Sequence, residues 1–110
     1  MNKSTKIYIA GHRGMVGSAV WRALESKGYS NLIGKTSAEL DLRNQQAVLD
    51  FYNQEQPEVV IDAAAKVGGI QANNIYRADF IYQNLMIECN LTHGAYQAGI
   101  NNLMSLGSSC

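Results

Sequence analysis

Apolar and polar positions alternate in blocks along the chain, and the period of each block predicts its element. Lys6–Ala10 is a short, apolar, β-branched run that stops at Gly11, as expected of a strand buried on both faces. From Gly14 to Lys27 the apolar residues Val16, Ala19, Val20, Ala23 and Leu24 recur at spacings of three and four, and Gly28 follows where a helix should stop. Asn31–Lys35 predicts a weaker strand, and Ala38–Leu42 a brief third one ending at Asp41. Asn44 can cap a helix over 45–54 that turns Val48, Leu49 and Tyr52 inward and closes at Pro57. Glu58–Ala65 carries the strongest strand pattern and breaks at Gly68-Gly69. A long helix is predicted over 77–98, stopped by Gly99, and a last strand over 102–106 leads into Gly107-Ser108-Ser109-Cys110.

Strand and helix alternate throughout, which argues for βαβ crossovers and a parallel α/β sheet in one domain over residues 1–110. Composition narrows the function classes. Forty-six per cent apolar residues and a single Pro exclude disorder. Nine basic and nine acidic residues leave a formal net charge of zero, without the basic excess of a nucleic-acid binder. No apolar run approaches the length of a membrane span, and the basic start is followed by only Ile7–Ala10, too short for a signal peptide. Two cysteines, Cys89 and Cys110, make no secreted-type disulfide framework, so the expected compartment is the cytoplasm. The Asn90-Leu91-Thr92 sequon falls in a helical pattern and carries no weight. No His, Cys, Asp or Glu grouping has metal-ligand spacing, and no metal is expected.

The chemistry begins at Gly11-His12-Arg13-Gly14-Met15-Val16-Gly17, directly after the first strand and opening the first helix. Glycines at this spacing permit a tight turn, let the backbone approach a pyrophosphate, and let the helix pack close to its strand. The pyrophosphate would sit on the amides at the positive end of the helix. The expected fold is therefore a Rossmann-type doubly wound parallel sheet, of which this chain supplies the first five strands. A carboxylate for the ribose 2′-hydroxyl of NAD is missing about 20 residues on, where Gly34-Lys35-Thr36-Ser37 stands instead. Lys35, with Arg13 in the loop, would welcome a 2′-phosphate, so NADP(H) is the expected cofactor.

Four stretches then resemble the extended short-chain dehydrogenase/reductases that act on nucleotide sugars. They are Ile9–Ser18, Ala63–Ile70 with its Lys66-Val67-Gly68-Gly69, Ala78–Asn84, and Leu106–Cys110. The resemblance runs over essentially the whole chain. Within the family it is to the epimerase-reductases of GDP-linked 4-keto sugars, which invert C3 and C5 of GDP-4-dehydro-6-deoxy-D-mannose and then reduce its C4 ketone with NADPH. It implies that Gly11, His12, Arg13, Gly14, Met15, Val16 and Gly17 form the pyrophosphate loop. Ala63, Ala64 and Ala65 would approach the cofactor by backbone, and Asp41 would read the adenine amino group. Leu106, Gly107, Ser108 and Ser109 would line the nicotinamide side. Ser108 matches the catalytic serine that donates to the C4 carbonyl oxygen, and Cys110 the acid/base cysteine of epimerisation, a fitting proton shuttle for a thiol.

Other residues keep blander roles. His12 is positional within the loop, His93 is structural or on the surface, and Cys89 is a small buried apolar residue. Ser37 departs from the basic residue of some relatives, which leaves the 2′-phosphate clamp open. The long helix carries Phe80, Ile81, Leu85, Ile87, Leu91, Ala95 and Tyr96, an apolar stripe wider than one sheet face requires. The resemblance implies a homodimer built through such helices.

The superfamily's Tyr-x-x-x-Lys pair is absent, because none of the six tyrosines has lysine four residues on. Later strands and a substrate domain are likewise missing. The chain is thus expected to be the cofactor-binding N-terminal part of such an enzyme and inactive alone. The alternatives are a non-catalytic dinucleotide-binding module that ends at Cys110, or another nucleotide-sugar epimerase or reductase, which Lys66–Gly69 disfavours.

Overall fold

The computed structural model describes residues 3–64 and 74–105. Chain order is β1 (Ile7–Ala10), α1 (Met15–Ser26), β2 (Leu32–Ile33), α2 (Gln45–Glu55), β3 (Val59–Asp62), α3 (Asn74–Gln97) and β4 (Asn102–Ser105). All strand pairs are parallel, in the order β2-β1-β3-β4. In register, Ala10 stands beside Asp62, and Asp62 beside Ser105, so these strands end level with one another.

The apolar strands explain the two-sided packing. Side chains alternate across a strand, so Ile7 and Ile9 of β1 join Val59 and Ile61 of β3 on one face, against Val20, Trp21 and Leu24 of α1. Tyr8, Ala10 and Val60 point the other way, into a core with Val48, Phe51 and Tyr52 of α2 and Leu91 and Ala95 of α3. All four residues of β1 are buried, as are all four of β3. Tyr8 packs on Phe51 at 4.6 Å between ring centroids. The Tyr52 hydroxyl donates to the Leu91 carbonyl at 3.0 Å, tying α2 to α3. Asn44 caps α2 by accepting from the Ala47 amide at 3.1 Å, as the sequence predicts.

Three expectations change. Residues 38–42 form no strand, so the described sheet has four strands instead of five. Turn chemistry wins there. The Thr36 carbonyl accepts from the Glu39 and Leu40 amides, while the Thr36 amide donates to the Glu39 carboxylate at 2.9 Å. That turn buries Leu40 in the α2-side core, and Asn90 of α3 donates to the Leu42 carbonyl at 2.9 Å. The long helix starts at Asn74, three residues earlier than expected. Cys89 is exposed instead of buried, because α3 turns Leu91 and Ala95 toward the sheet and Cys89 away from it. His93 lies on the surface.

Candidate functional site: the C-terminal edge of the sheet

The chain leaves β1 for β2 through α1 on one face, then returns past β1 to β3 through α2 on the other. This reversal makes the carboxyl ends of β1 and β3 a topological switch point, the place where such sheets open a crevice for a ligand. Gly11 follows β1 there with φ of 77°, a left-handed conformation that suits glycine. A Cβ on Gly11 would lie 2.7 Å from the Ala63 carbonyl oxygen and 2.7 Å from the Ala64 Cα. A Cβ on Gly17 would lie 1.9 Å from the Gly11 carbonyl oxygen. The loop is thus pressed between α1 and the end of β3, where only hydrogen fits.

Gly14 is the N-cap of α1 and its amide donates to the Gly11 carbonyl at 3.0 Å. No side chain caps this helix and no acidic residue occupies its first turn. Arg13, Gly14, Met15 and Val16 are exposed around this helix start. A helix start left open in this way, beside bare glycine backbone, suits an anion with several oxygens. The loop residues therefore fit a pyrophosphate.

The second part of the edge follows β2. His12 packs on Trp21 at 5.5 Å between ring centroids, and its ring presses on Gly34, where a Cβ would meet it at 2.5 Å. Its Nδ1 is buried without a hydrogen-bond partner. Lys35 is half-buried and Ser37 exposed beside it. Glu39 shares this corner, and the Thr36 backbone amide, first among several contacts, holds its carboxyl below the usual range. Asp41, the expected adenine reader, is exposed and paired with Arg43 at 3.1 and 3.2 Å. That pairing lowers its pKa and raises that of Arg43. An adenine amino group would have to share the Asp41 carboxylate with this arginine.

The third part follows β3. The Ala63 amide donates to the Ala10 carbonyl at 2.9 Å, and the Ala64 amide donates to the Asp62 carboxylate at 3.0 Å. Asp62 is 1% exposed. Burial pushes its carboxyl up to about 7, helped by a side-chain hydrogen bond to Glu88 of α3. Burial above all, with a smaller contribution from the Asp62 carboxyl, pushes the Tyr8 and Tyr52 phenols far up. Asp62 thus holds the turn that supports Gly11.

The structure brings together Gly11, Gly17, Ala63 and Ala64 in one place, and His12 and Lys35 in the adjoining corner. Ala65, Lys66–Gly69 and Leu106–Cys110, with the candidate catalytic Ser108 and Cys110, lie outside the described residues. Sequence reasoning did not single out Gly34, Trp21 or Asp62. The aspartate closing an otherwise apolar strand at the switch point was the available signal for the last. Among the described residues no three His, Cys, Asp or Glu side chains could hold a metal ion, and no helix is long and apolar enough to cross a membrane.

A parallel sheet with a glycine cradle at its switch point defines a Rossmann-like nucleotide-binding protein. Residues 7–110 match the NAD dependent epimerase/dehydratase family, and the chain belongs to that family. It is 58% identical to GDP-L-fucose synthase 1 of Arabidopsis thaliana, over 99% of this chain and 34% of that relative. It is 56% identical to the GDP-L-fucose synthase of Escherichia coli K12, over 96% of this chain and 33% of that protein. Among solved structures it superposes with a TM-score of 0.88 on the NADP-bound GDP-mannoheptose C4 reductase MlghC of Campylobacter jejuni. There the identity is 46%, covering 96% of this chain and 31% of the other. The chain spans about a third of the length of the curated relatives it matches.

Proposed function

We propose that this chain is the NADP(H)-binding part of an enzyme that converts GDP-4-dehydro-6-deoxy-D-mannose to GDP-L-fucose. The observation that carries the reading is the glycine cradle, Gly11 and Gly17 pressed against Ala63 and Ala64, in a chain 58% identical to a GDP-L-fucose synthase. Bound NADPH would supply the hydride for the C4 ketone. The first turn of α1 holds the pyrophosphate, and Arg13 and Lys35 attract the 2′-phosphate. Ala63 and Ala64 keep β3's end low enough for the cofactor to pass over it. Leu106, Gly107 and Ser109 are assigned to the nicotinamide side by their match to the family motif alone.

Ser108 donates a hydrogen bond to the C4 oxygen, which stabilises the negative charge that develops there during enolisation and reduction. Cys110 serves as one acid/base partner at a carbon next to the ketone, on one face of the sugar. A second acid outside this chain delivers the proton to the opposite face, and together they invert the centre. Both assignments rest on the Leu106–Cys110 motif. A tyrosine-lysine pair for the C4 oxygen must come from sequence beyond this chain. The exposed residues Tyr82, Leu85 and Tyr96 of α3 support a homodimer.

The test uses full-length protein and the GDP-keto sugar in deuterated water. Deuterium should enter C3 and C5 without NADPH, and Cys110→Ser should lose that exchange while Ser108→Ala lowers NADPH oxidation. Reduction without any exchange favours the second reading, a GDP-sugar C4 reductase, which the 46% identity to such an enzyme supports.

A further inference from the structure

The His12 side chain occupies a slot with unusual walls. Trp21 of α1 forms one side, and the bare backbone of Gly34 at the end of β2 forms the other, with room for hydrogen only. His12 is partly exposed overall, yet its Nδ1 is the buried edge and has no hydrogen-bond partner. Buried polar atoms are nearly always paired, and an unpaired one calls for an explanation. A structural imidazole would turn a nitrogen to a carbonyl or a hydroxyl. The Nδ1 of His12 has neither, and the one charged group facing the ring among the described contacts is the Glu39 carboxylate.

The slot's position supplies the explanation. It lies between the glycine loop and the end of β2, where the adenosine ribose of a dinucleotide meets this fold. Arg13 and Lys35 bring positive charge to the same corner, and the Glu39 carboxylate is engaged by the Thr36 amide at 2.9 Å. A phosphate monoester on that ribose would find cations near it, and beside them an imidazole nitrogen without a partner.

We propose that His12 swings out of the Trp21–Gly34 slot when an adenosine 2′-phosphate binds and donates Nδ1–H to that phosphate, making it a specificity residue for NADP over NAD. The proposal rests on the dinucleotide-binding reading above. It explains why position 34 is glycine: any side chain there would close the slot. It also places a reporter beside the moving group, since Trp21 is the single tryptophan of this chain.

The experiment titrates the full-length protein with 2′,5′-ADP and with 5′-AMP, following binding by calorimetry and tryptophan emission in parallel. Neither nucleotide absorbs where tryptophan emits. Expected is an emission change with 2′,5′-ADP that is absent with 5′-AMP and absent from Trp21→Phe. His12→Ala should weaken 2′,5′-ADP about tenfold or more, the loss of one hydrogen bond to a charged group, and 5′-AMP less than about twofold. His12→Asn, which restores a donor near Nδ1, should recover most of that affinity and folds if the alanine variant does not. Calorimetric saturation by 2′,5′-ADP without any Trp21 response overturns the proposal. So does an equal loss for both nucleotides in both variants, which marks His12 as loop support alone. Binding of neither nucleotide by the wild-type protein overturns the dinucleotide reading, and this proposal with it.

Discussion

Gly17 sits so close to Gly11 that a Cβ on the former would stand 1.9 Å from the carbonyl oxygen of the latter. Both partners are backbone, so no side chain can rotate away to relieve the clash. Gly17→Ala must therefore either push α1 from β1 or lift the loop from Ala63. Overpacking of this kind costs about 1–3 kcal/mol of stability. The loop displacement should weaken NADPH by at least about a hundredfold, since amides aimed at a pyrophosphate lose their registry when moved by an ångström. A melting curve and an NADPH fluorescence titration check the two effects separately. Unchanged affinity in a folded variant would refute the cradle's role.

Asp62 gives the protein a defined pH dependence. Its carboxyl is raised to about 7 in the fold by burial, then by Glu88, whereas an unfolded aspartate titrates near about 4. Between those values the folded state holds a proton that the unfolded state has released. Stability from this site is fully present below about pH 4 and is lost as pH rises through about 7. Asp62→Asn keeps an acceptor for the Ala64 amide and a donor for Glu88 without the titration. Denaturant midpoints at pH 5 and pH 8 should differ clearly less in this variant than in the wild type. An identical difference in both would show that the slope arises elsewhere.

Reversing the charge of Lys35 tests the choice of cofactor. In the proposed binding mode Lys35→Glu places a carboxylate beside the 2′-position, where it repels a phosphate and can accept from a hydroxyl. Losing one charge-assisted contact of about 1.5–3 kcal/mol weakens NADPH by roughly ten- to a hundredfold. NADH should bind as well as before or better. Fluorescence titration with each cofactor measures the ratio, and a parallel loss for both would remove Lys35 from the 2′-phosphate site.

Much of the sheet edge was legible in the sequence, for identifiable reasons. Gly11–Gly17 between an apolar run and a helical period has few structural solutions, and α1, α2 and β3 formed where their periods predicted them. Asn44 capped α2 because a side-chain acceptor before the first turn meets an otherwise unpaired amide. The segment after β2 misled the reading because Leu40 and Leu42 are apolar, as in a strand, but face the core from a turn. That turn depends on the reciprocal Thr36–Glu39 bonds, which propensity alone does not weigh. The slot at His12 was illegible because it joins residues 12, 21 and 34, whose relation arises only once β1 and β2 pair.

The same limit applies to α3, whose apolar residues divide between two faces. Leu91 and Ala95 are buried against the sheet, with Ile87 packed beside them. Tyr82, Leu85 and Tyr96 are 63%, 58% and 81% exposed, and the spacing 82, 85, 89, 96 sets them with Cys89 along one outward stripe. In the proposed homodimer a second copy of the helix covers this exposed apolar stripe symmetrically. Leu85→Glu places two charges face to face in such a dimer while touching nothing in the protomer's own core. Light scattering of the full-length protein should then fall from twice the chain mass to the chain mass, with the melting temperature of the isolated protomer unchanged. A bis-maleimide should cross-link wild-type chains through Cys89 and fail in the Leu85→Glu variant. A wild-type protein of monomer mass, or a variant that stays dimeric, would show that α3 does not make the interface.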